Sequence, residues 1–304
     1  MGTEPSVVAV AGGTGFVGGA IARELASRGH RVVVLTHRKT SVDSSSTIER
    51  RPADVTQPEG LPAVLAGVDA LVISLAFRNS PIEAPRRGQT FERVDAGGAV
   101  ALTSAAKAAG VRRIIYLSGA GAAPDAPRHW FRAKWRAEEA VRASGIPYTI
   151  FRPSWIYGPG DRSLNRFLGF ARWLPFIPQI GNGRQVVVPV FVDDMGRLVA
   201  DALETAAADN ATIEVGGPET VSMDEVIRTA LLVSRRRRPI LHSPVALMKV
   251  LTAPLTLLPS PPMTPNAIDF VVQSAPVDTG ALSRILPRRM TSLREGLATY
   301  LTPR

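Results

Sequence analysis

Cysteine is absent from the 304 residues. That excludes disulfide scaffolds, thiolate nucleophiles, cysteine-ligated zinc and iron–sulfur clusters. Lysine is scarce: Lys39, Lys107, Lys134 and Lys249 are the only four, so arginine supplies nearly all of the 36 basic residues. Aromatic residues are 6% of the chain. No run of about 18 uninterrupted apolar residues is present, which argues against a spanning helix. Met1 to Ser6 is short and polar and leads straight into a strand-like segment, so no secretory leader is expected. Together with the missing cysteines, this points to the cytoplasm.

What is present is a hydrophobic content of 45% and a charged content of 20%, too apolar for a disordered chain. The length accommodates about two domains of ~150 residues, or one α/β domain with an added lobe. The formal charge of +10 suggests an anionic partner: a phosphate-bearing cofactor, nucleic acid or an anionic membrane surface.

The first half alternates short apolar runs with helical patterns. Val7 to Ala11, Val32 to Thr36, Ala70 to Leu75, Arg113 to Leu117 and Tyr148 to Arg152 read as strands. Val17, Ile21 and Leu25 recur at helical spacing before Gly29, and further helices are expected over 91–109 and 129–143. Continuous apolar strands alternating with helices predict a parallel sheet covered on both faces, a doubly wound α/β nucleotide-binding fold. The second half is interrupted by Pro153, Pro159, Pro175 and Pro178, with helical patterns at 192–206, 223–234 and 292–301. Residues 1–155 are therefore expected to form the Rossmann domain. Residues 156–304 are expected to form a smaller C-terminal substrate lobe, some of whose elements return to the Rossmann core.

The first strand opens into Gly12-Gly13-Thr14-Gly15-Phe16-Val17-Gly18, where a helix begins. Gly12 permits the tight turn, Gly15 lets backbone N–H groups approach a pyrophosphate, and Gly18 allows close helix–strand contact. The helix N-terminus then faces the anion with unpaired N–H groups and a favourable dipole. At the end of the second strand stands Thr36-His37-Arg38-Lys39, with no carboxylate to hold the ribose of NAD. Arg38 suits a bidentate pair with a 2′-phosphate, so NADP is favoured over NAD. Asp54-Val55, before the next helix, is a candidate for the adenine amino group. The alternative for Asp54 is an ordinary turn.

These segments, with Ala109-Gly110-Val111, Tyr116-Leu117-Ser118-Gly119, Phe151-Arg152-Pro153, Tyr157 to Asp161 and Val190 to Asp194, carry a family likeness. The chain resembles the extended and atypical short-chain dehydrogenase/reductases, of the epimerase/dehydratase type, over nearly its whole length. Within them it is most similar to the NADPH-binding accessory subunit of respiratory complex I and its bacterial relatives. That likeness rests on Lys134 to Pro153, Gly158 to Asn165, Leu257 to Thr264 and Leu293 to Leu297.

Catalytic members of the family carry a tyrosine four residues before a lysine on one helix, with a serine on the preceding strand end. The resemblance assigns the lysine to Lys134 and the serine to Ser118, and puts Trp130 in the tyrosine's place. Indole N–H donates a hydrogen bond but is no acid near neutral pH. The resemblance thus implies a cofactor-binding lysine with the usual proton donor missing. Weak, non-standard or no catalysis follows, in a structural or redox-sensing role. The alternative is an active NADP-dependent oxidoreductase or epimerase whose proton comes from His129, Tyr157, Asp161 or water. Ser74, Leu75 and Ala76 are expected beside the nicotinamide ribose, and Arg152, Pro153, Ser154 and Ile156 on the carboxamide side.

Arg235-Arg236-Arg237-Arg238 is the densest charge run, and the largely apolar stretch Val245 to Leu258 follows. A peripheral contact with an anionic membrane, as in a membrane-peripheral accessory or assembly protein, is one reading, and a cap helix with a solvated arginine loop is the other. Nucleic-acid binding is disfavoured, since the remaining arginines are dispersed and no nucleic-acid module is recognisable. The small-molecule substrate is not legible.

Overall fold

The computed structural model describes residues 6–37 and 48–301. In chain order the first half runs β1 (Val7–Ala11), α1 (Phe16–Ser27), β2 (Arg31–Thr36), β3 (Ile48–Pro52), α2 (Leu61–Val64) and β4 (Ala70–Ile73), then α3 (Gly98–Ala108), β5 (Arg113–Leu117), α4 (His129–Arg142) and β6 (Tyr148–Pro153). The second half adds β7 (Ile156–Tyr157), α5 (Arg162–Trp173), β8 (Ile177–Ile180), β9 (Val186–Val187), β10 (Val190–Phe191), α6 (Val192–Leu203) and β11 (Ala211–Val215). After these come β12 (Val221–Ser222), α7 (Met223–Val233), β13 (Ile240–Ser243), α8 (Val245–Thr252), α9 (Pro265–Val272), α10 (Gly280–Ile285) and α11 (Leu293–Ala298).

Seven strands form one parallel sheet in the order β11-β6-β5-β4-β1-β2-β3. Side chains alternate across it. Val8 and Val10 of β1 face Ile21 and Leu25 of α1 and Leu198 and Val199 of α6. Ala9 and Ala11 face the layer of Leu61, Leu102, Ala105, Ala137 and Val141 from α2, α3 and α4. Both faces are therefore buried, which is why the central strands read as unbroken apolar runs. This is the Rossmann-like doubly wound α/β fold. The order reverses between β4 and β1, leaving a crevice beyond their carboxyl ends, where open sheets bind ligands.

Two returns from the second half complete this layer: α6 packs on α1, and β11 pairs with β6 at the sheet edge. A separate apolar core joins Tyr157, Leu164, Val226, Ile227, Leu231, Leu293 and Leu297 in the C-terminal lobe. Among the described residues no helix is long and apolar enough to cross a membrane.

Several expected boundaries shift. The helix expected over 91–109 begins as a π-helical turn, Phe91–Gly97, before α3. Thr90 caps the turn by accepting from the Arg93 N–H. The following Gly98 lies where a Cβ would press on the side chains of Val55 and Leu75, so glycine lets the helix settle closely against them. β4 stops at Ile73, and α6 ends at Leu203, with a 3-10 turn following at Ala206–Ala208.

Candidate functional site

The turn after β1 places the glycines in the crevice. Gly12 has φ +84°, a left-handed conformation that glycine adopts without penalty. A Cβ there would overlap the Ser74 carbonyl at the end of β4, and a Cβ on Gly18 would overlap the Gly12 carbonyl. The loop is thus compressed between two strand ends and the first turn of α1. Gly15 caps α1 in extended conformation, and among the described residues no side-chain hydrogen bond caps the helix start. Thr14 and Gly15 are exposed, and Phe16 and Val17 are half-buried beside them. An unblocked helix N-terminus behind a glycine turn fits the pyrophosphate of a dinucleotide.

Other predicted residues fall around the same crevice. Ser74 and Leu75 are half-buried and Ala76 is exposed just beyond β4. The Ser74 N–H donates to the Ala11 carbonyl, tying β4 to β1. Asp54 accepts from the N–H and hydroxyl of Thr56, a local turn, and lies 3.6 Å from His37 Nδ1. Burial pushes the Asp54 carboxyl up, but the Thr56 hydrogen bonds outweigh it and hold the pKa below its ordinary value. Val55 packs beside Leu75 against α3. Arg38 and Lys39 lie outside the described residues.

On the far side of the crevice the predicted residues are already partnered. The Ser118 hydroxyl donates to Glu138 at 2.6 Å. Arg152 meets the same carboxylate through two bonds, of 2.9 and 2.7 Å, and Arg142 adds a third cation contact. Glu138 is completely buried, and the Trp135 ring centroid lies 4.9 Å from the Arg142 guanidinium and 5.6 Å from that of Arg152. Ser154 bridges two segments, donating to the Ala275 carbonyl and accepting from the Val188 N–H. Pro153 is buried, and Ile156 pairs with Val190.

Trp130 and Lys134 sit on α4 with different surroundings. Trp130 is only 3% exposed, in a cluster with Phe77, Phe91 and Ala133, and Phe131 and Phe270 pack against it. Its ring centroid is 6.1 Å from Phe91 and 5.5 Å from Phe270 of α9. The indole Nε1 is buried and, among the described residues, has no hydrogen-bond partner. Lys134 Nζ lies 3.1 Å from Asp95 Oδ1 and over the Tyr116 ring. Burial disfavours the ammonium, yet Tyr116 and Asp95 outweigh it and hold the Lys134 pKa above its ordinary value. The Tyr116 phenol, fully buried, is pushed up to about 12 by desolvation.

The candidate substitute acids are each engaged. His129 Nε2 is 2.7 Å from Glu83. Tyr157 is buried in the lobe core and donates to the Ser292 carbonyl, and burial raises its pKa. Asp161 accepts from the Ser163 and Leu164 N–H groups at the start of α5, and burial pushes its carboxyl up to about 6. Among the described residues no cluster of His, Asp and Glu is suited to a metal.

Sequence reasoning missed Glu138, Asp95 and Glu83. Glu138 had a signal: Lys134, Glu138 and Arg142 recur every four residues on one helix face. Asp95 and Glu83 come from distant segments and carried none. A cavity of about 480 Å³ lies elsewhere, lined by Gly216, Gly217, Thr279, Arg288 and Arg289. Its arginines are held by Asp201 and Glu295, and the predicted cofactor residues do not line it.

Comparison with known proteins places this geometry. Residues 12–167 match the family model described as NAD(P)H-binding. The chain is 30% identical to the NADH dehydrogenase [ubiquinone] 1 alpha subcomplex subunit 9 of Arabidopsis thaliana over 82% of its length. That match spans 63% of the plant protein, so the chain covers under two-thirds of this relative. A reductase of Streptomyces griseus subsp. griseus, acting on a (4-alkanoyl-5-oxo-2,5-dihydrofuran-3-yl)methyl phosphate, is 30% identical over 92% of this chain and 90% of its own. Among solved structures, MoeE5 in complex with UDP-glucuronic acid and NAD superposes with a TM-score of 0.75, covering 97% of each chain at 21% identity. The glycine cradle and these relationships agree, and the chain belongs to the NAD(P)H-binding family with an epimerase/dehydratase-like short-chain dehydrogenase/reductase fold.

Proposed function

We propose that the chain binds NADP(H) in the Gly12–Gly18 cradle and performs little or no carbonyl reduction by the tyrosine–lysine route, acting in a structural or redox-sensing role. When bound, NADPH would supply a hydride. The cradle residues would hold the pyrophosphate, Arg38 and Lys39 the 2′-phosphate, and Ser74, Leu75 and Ala76 the ribose side. The observation that carries the reading is Trp130: the position four residues before Lys134 holds a buried ring with no acidic proton, packed among phenylalanines. Two further features support it. Lys134 is paired with Asp95, and the Ser118 hydroxyl is spent on Glu138.

A second reading, an active NADP-dependent reductase, is favoured by the 30% identity to the Streptomyces reductase over nearly the whole chain. Steady-state NADPH consumption with a panel of aldehydes and quinones separates the two. The wild-type protein is expected to turn over no faster than buffer. Trp130→Tyr, which restores the acid, is expected to gain measurable turnover, of the order of 10²-fold over background. Wild-type turnover that Trp130→Tyr does not raise would overturn the lead reading.

A further inference from the structure

The C-terminal lobe carries an apolar surface unrelated to the cofactor cradle. In an ordinary surface helix the apolar stripe faces the core. In α8 it faces outward: Leu247, Val250 and Leu251, at i, i+3 and i+4, are 51%, 71% and 60% exposed. The 3-10 turn that follows, Ala253–Leu257, continues the pattern with Leu257 and the adjoining Leu258, and Leu241 on β13 precedes it. Isolated exposed leucines are commonplace, but a run of them on consecutive elements marks an interaction surface.

Charge indicates what covers it. Residues 226–268 contain no aspartate or glutamate, whereas Arg228, Arg235 to Arg238 and Lys249 lie within them. Arg237 and Arg238 are exposed and, among the described residues, pair with no carboxylate. A second basic pair reaches the patch from the Rossmann half: Arg86 donates to the Leu257 carbonyl, and both Arg86 and Arg87 are exposed. Asp269 of α9 is held by Arg128 and Lys249, and Asp224, beside His242 of β13, is paired with Arg228. An outward apolar helix in an acid-free stretch, with exposed arginines before it in the chain and Arg86 bonded beyond its end, matches an interface whose surface is anionic and whose interior is hydrocarbon.

We propose that the chain docks peripherally on an anionic phospholipid bilayer through the outward face of α8, the 3-10 turn after it and the flanking arginines. The leucines enter the headgroup–acyl boundary while the guanidinium groups meet lipid phosphates. The test is cosedimentation of the purified full chain with phosphatidylcholine vesicles, alone or with about one-third phosphatidylglycerol. At least about tenfold stronger partitioning onto the anionic vesicles is expected, falling as salt is raised to about 0.5 M. Leu247→Glu with Leu251→Glu alters only exposed side chains. It is expected to keep the parental melting temperature and NADPH affinity while reducing partitioning about tenfold. Arg237→Glu with Arg238→Glu should reduce it as well. Equal binding to both vesicle types, no binding to either, or undiminished binding of the leucine variant would overturn the proposal. So would a dimer, seen by light scattering, that the leucine variant dissolves without any effect on vesicles. That result would assign the face to a second copy of the chain.

Discussion

Glu138 is the residue on which the far side of the crevice turns. It is completely buried, yet Ser118, Arg142 and Arg152 all converge on it, so its charge is compensated on every side. Removing one partner of a buried charge network leaves the others uncompensated, which costs more than the network contributes when intact. Glu138→Gln keeps the shape and loses the charge, and is expected to destabilise the fold by about 3–5 kcal/mol, read as a lowered denaturation midpoint. A variant as stable as the parent would show the arginines to be solvated after all. Asp161 offers a second test, in pH. Burial raises its carboxyl to about 6 despite the helix N–H groups it accepts from. A carboxyl raised in the folded state penalises folding when ionised, so the penalty is full above pH 6 and is relieved as pH falls toward the ordinary carboxylate value. Measured against Asp161→Asn, which cannot titrate, the parent should gain roughly 2–3 kcal/mol between pH 7 and pH 4. A pH-independent difference would contradict the burial argument.

At the scale of elements, the start of α1 is the most constrained join in the fold. Any side chain at Gly18 must displace the Gly12 carbonyl, and with it the turn that shapes the cradle. Gly18→Val is expected to weaken NADPH binding more than about tenfold and to cost roughly 1–3 kcal/mol of stability, measured by titration and by thermal melting. This join was legible in the sequence because strand, glycines and amphipathic helix follow one another without interruption. So were β1, β2, β4, β5 and β6, whose two-sided burial leaves a continuous apolar run. β3 and β11 were harder to read for a physical reason. Both are edge strands, and Ile48–Pro52 and Ala211–Val215 carry Glu49, Arg50, Arg51 and Glu214 where a central strand could not. The π-helical turn at Phe91–Gly97 was invisible because its pattern is set by what packs against it, the Trp130 cluster and the Lys134–Asp95 pair. The candidate site was legible where one loop builds it. It was illegible where α4 meets segments distant in the chain, as at Glu138 with Arg152 and Lys134 with Asp95.

For the molecule as a whole, the charge of +10 divides into separate tasks. Some arginines sit in internal networks, such as Arg28 and Arg288 with Asp201, and Arg152 with Glu138. Others, Arg237 and Arg238 among them, are exposed in the acid-free stretch that contains α8. Arg38, with Lys39 beside it, is expected from the sequence to serve a dinucleotide. The Rossmann sheet, the glycine cradle and the family relationship all converge on that ligand, and the proposed role turns on Trp130, which stands where the tyrosine-dependent route would need its acid. The choice between the two dinucleotides rests on the basic end of β2. The most direct measurement is therefore a calorimetric titration of the purified chain with NADPH and with NADH, repeated on Arg38→Ala. Tighter binding of NADPH by at least about tenfold, with the preference erased in the variant, is the result predicted from the lost bidentate phosphate pair. Equal affinities in the parent, or no binding of either dinucleotide, would contradict the account.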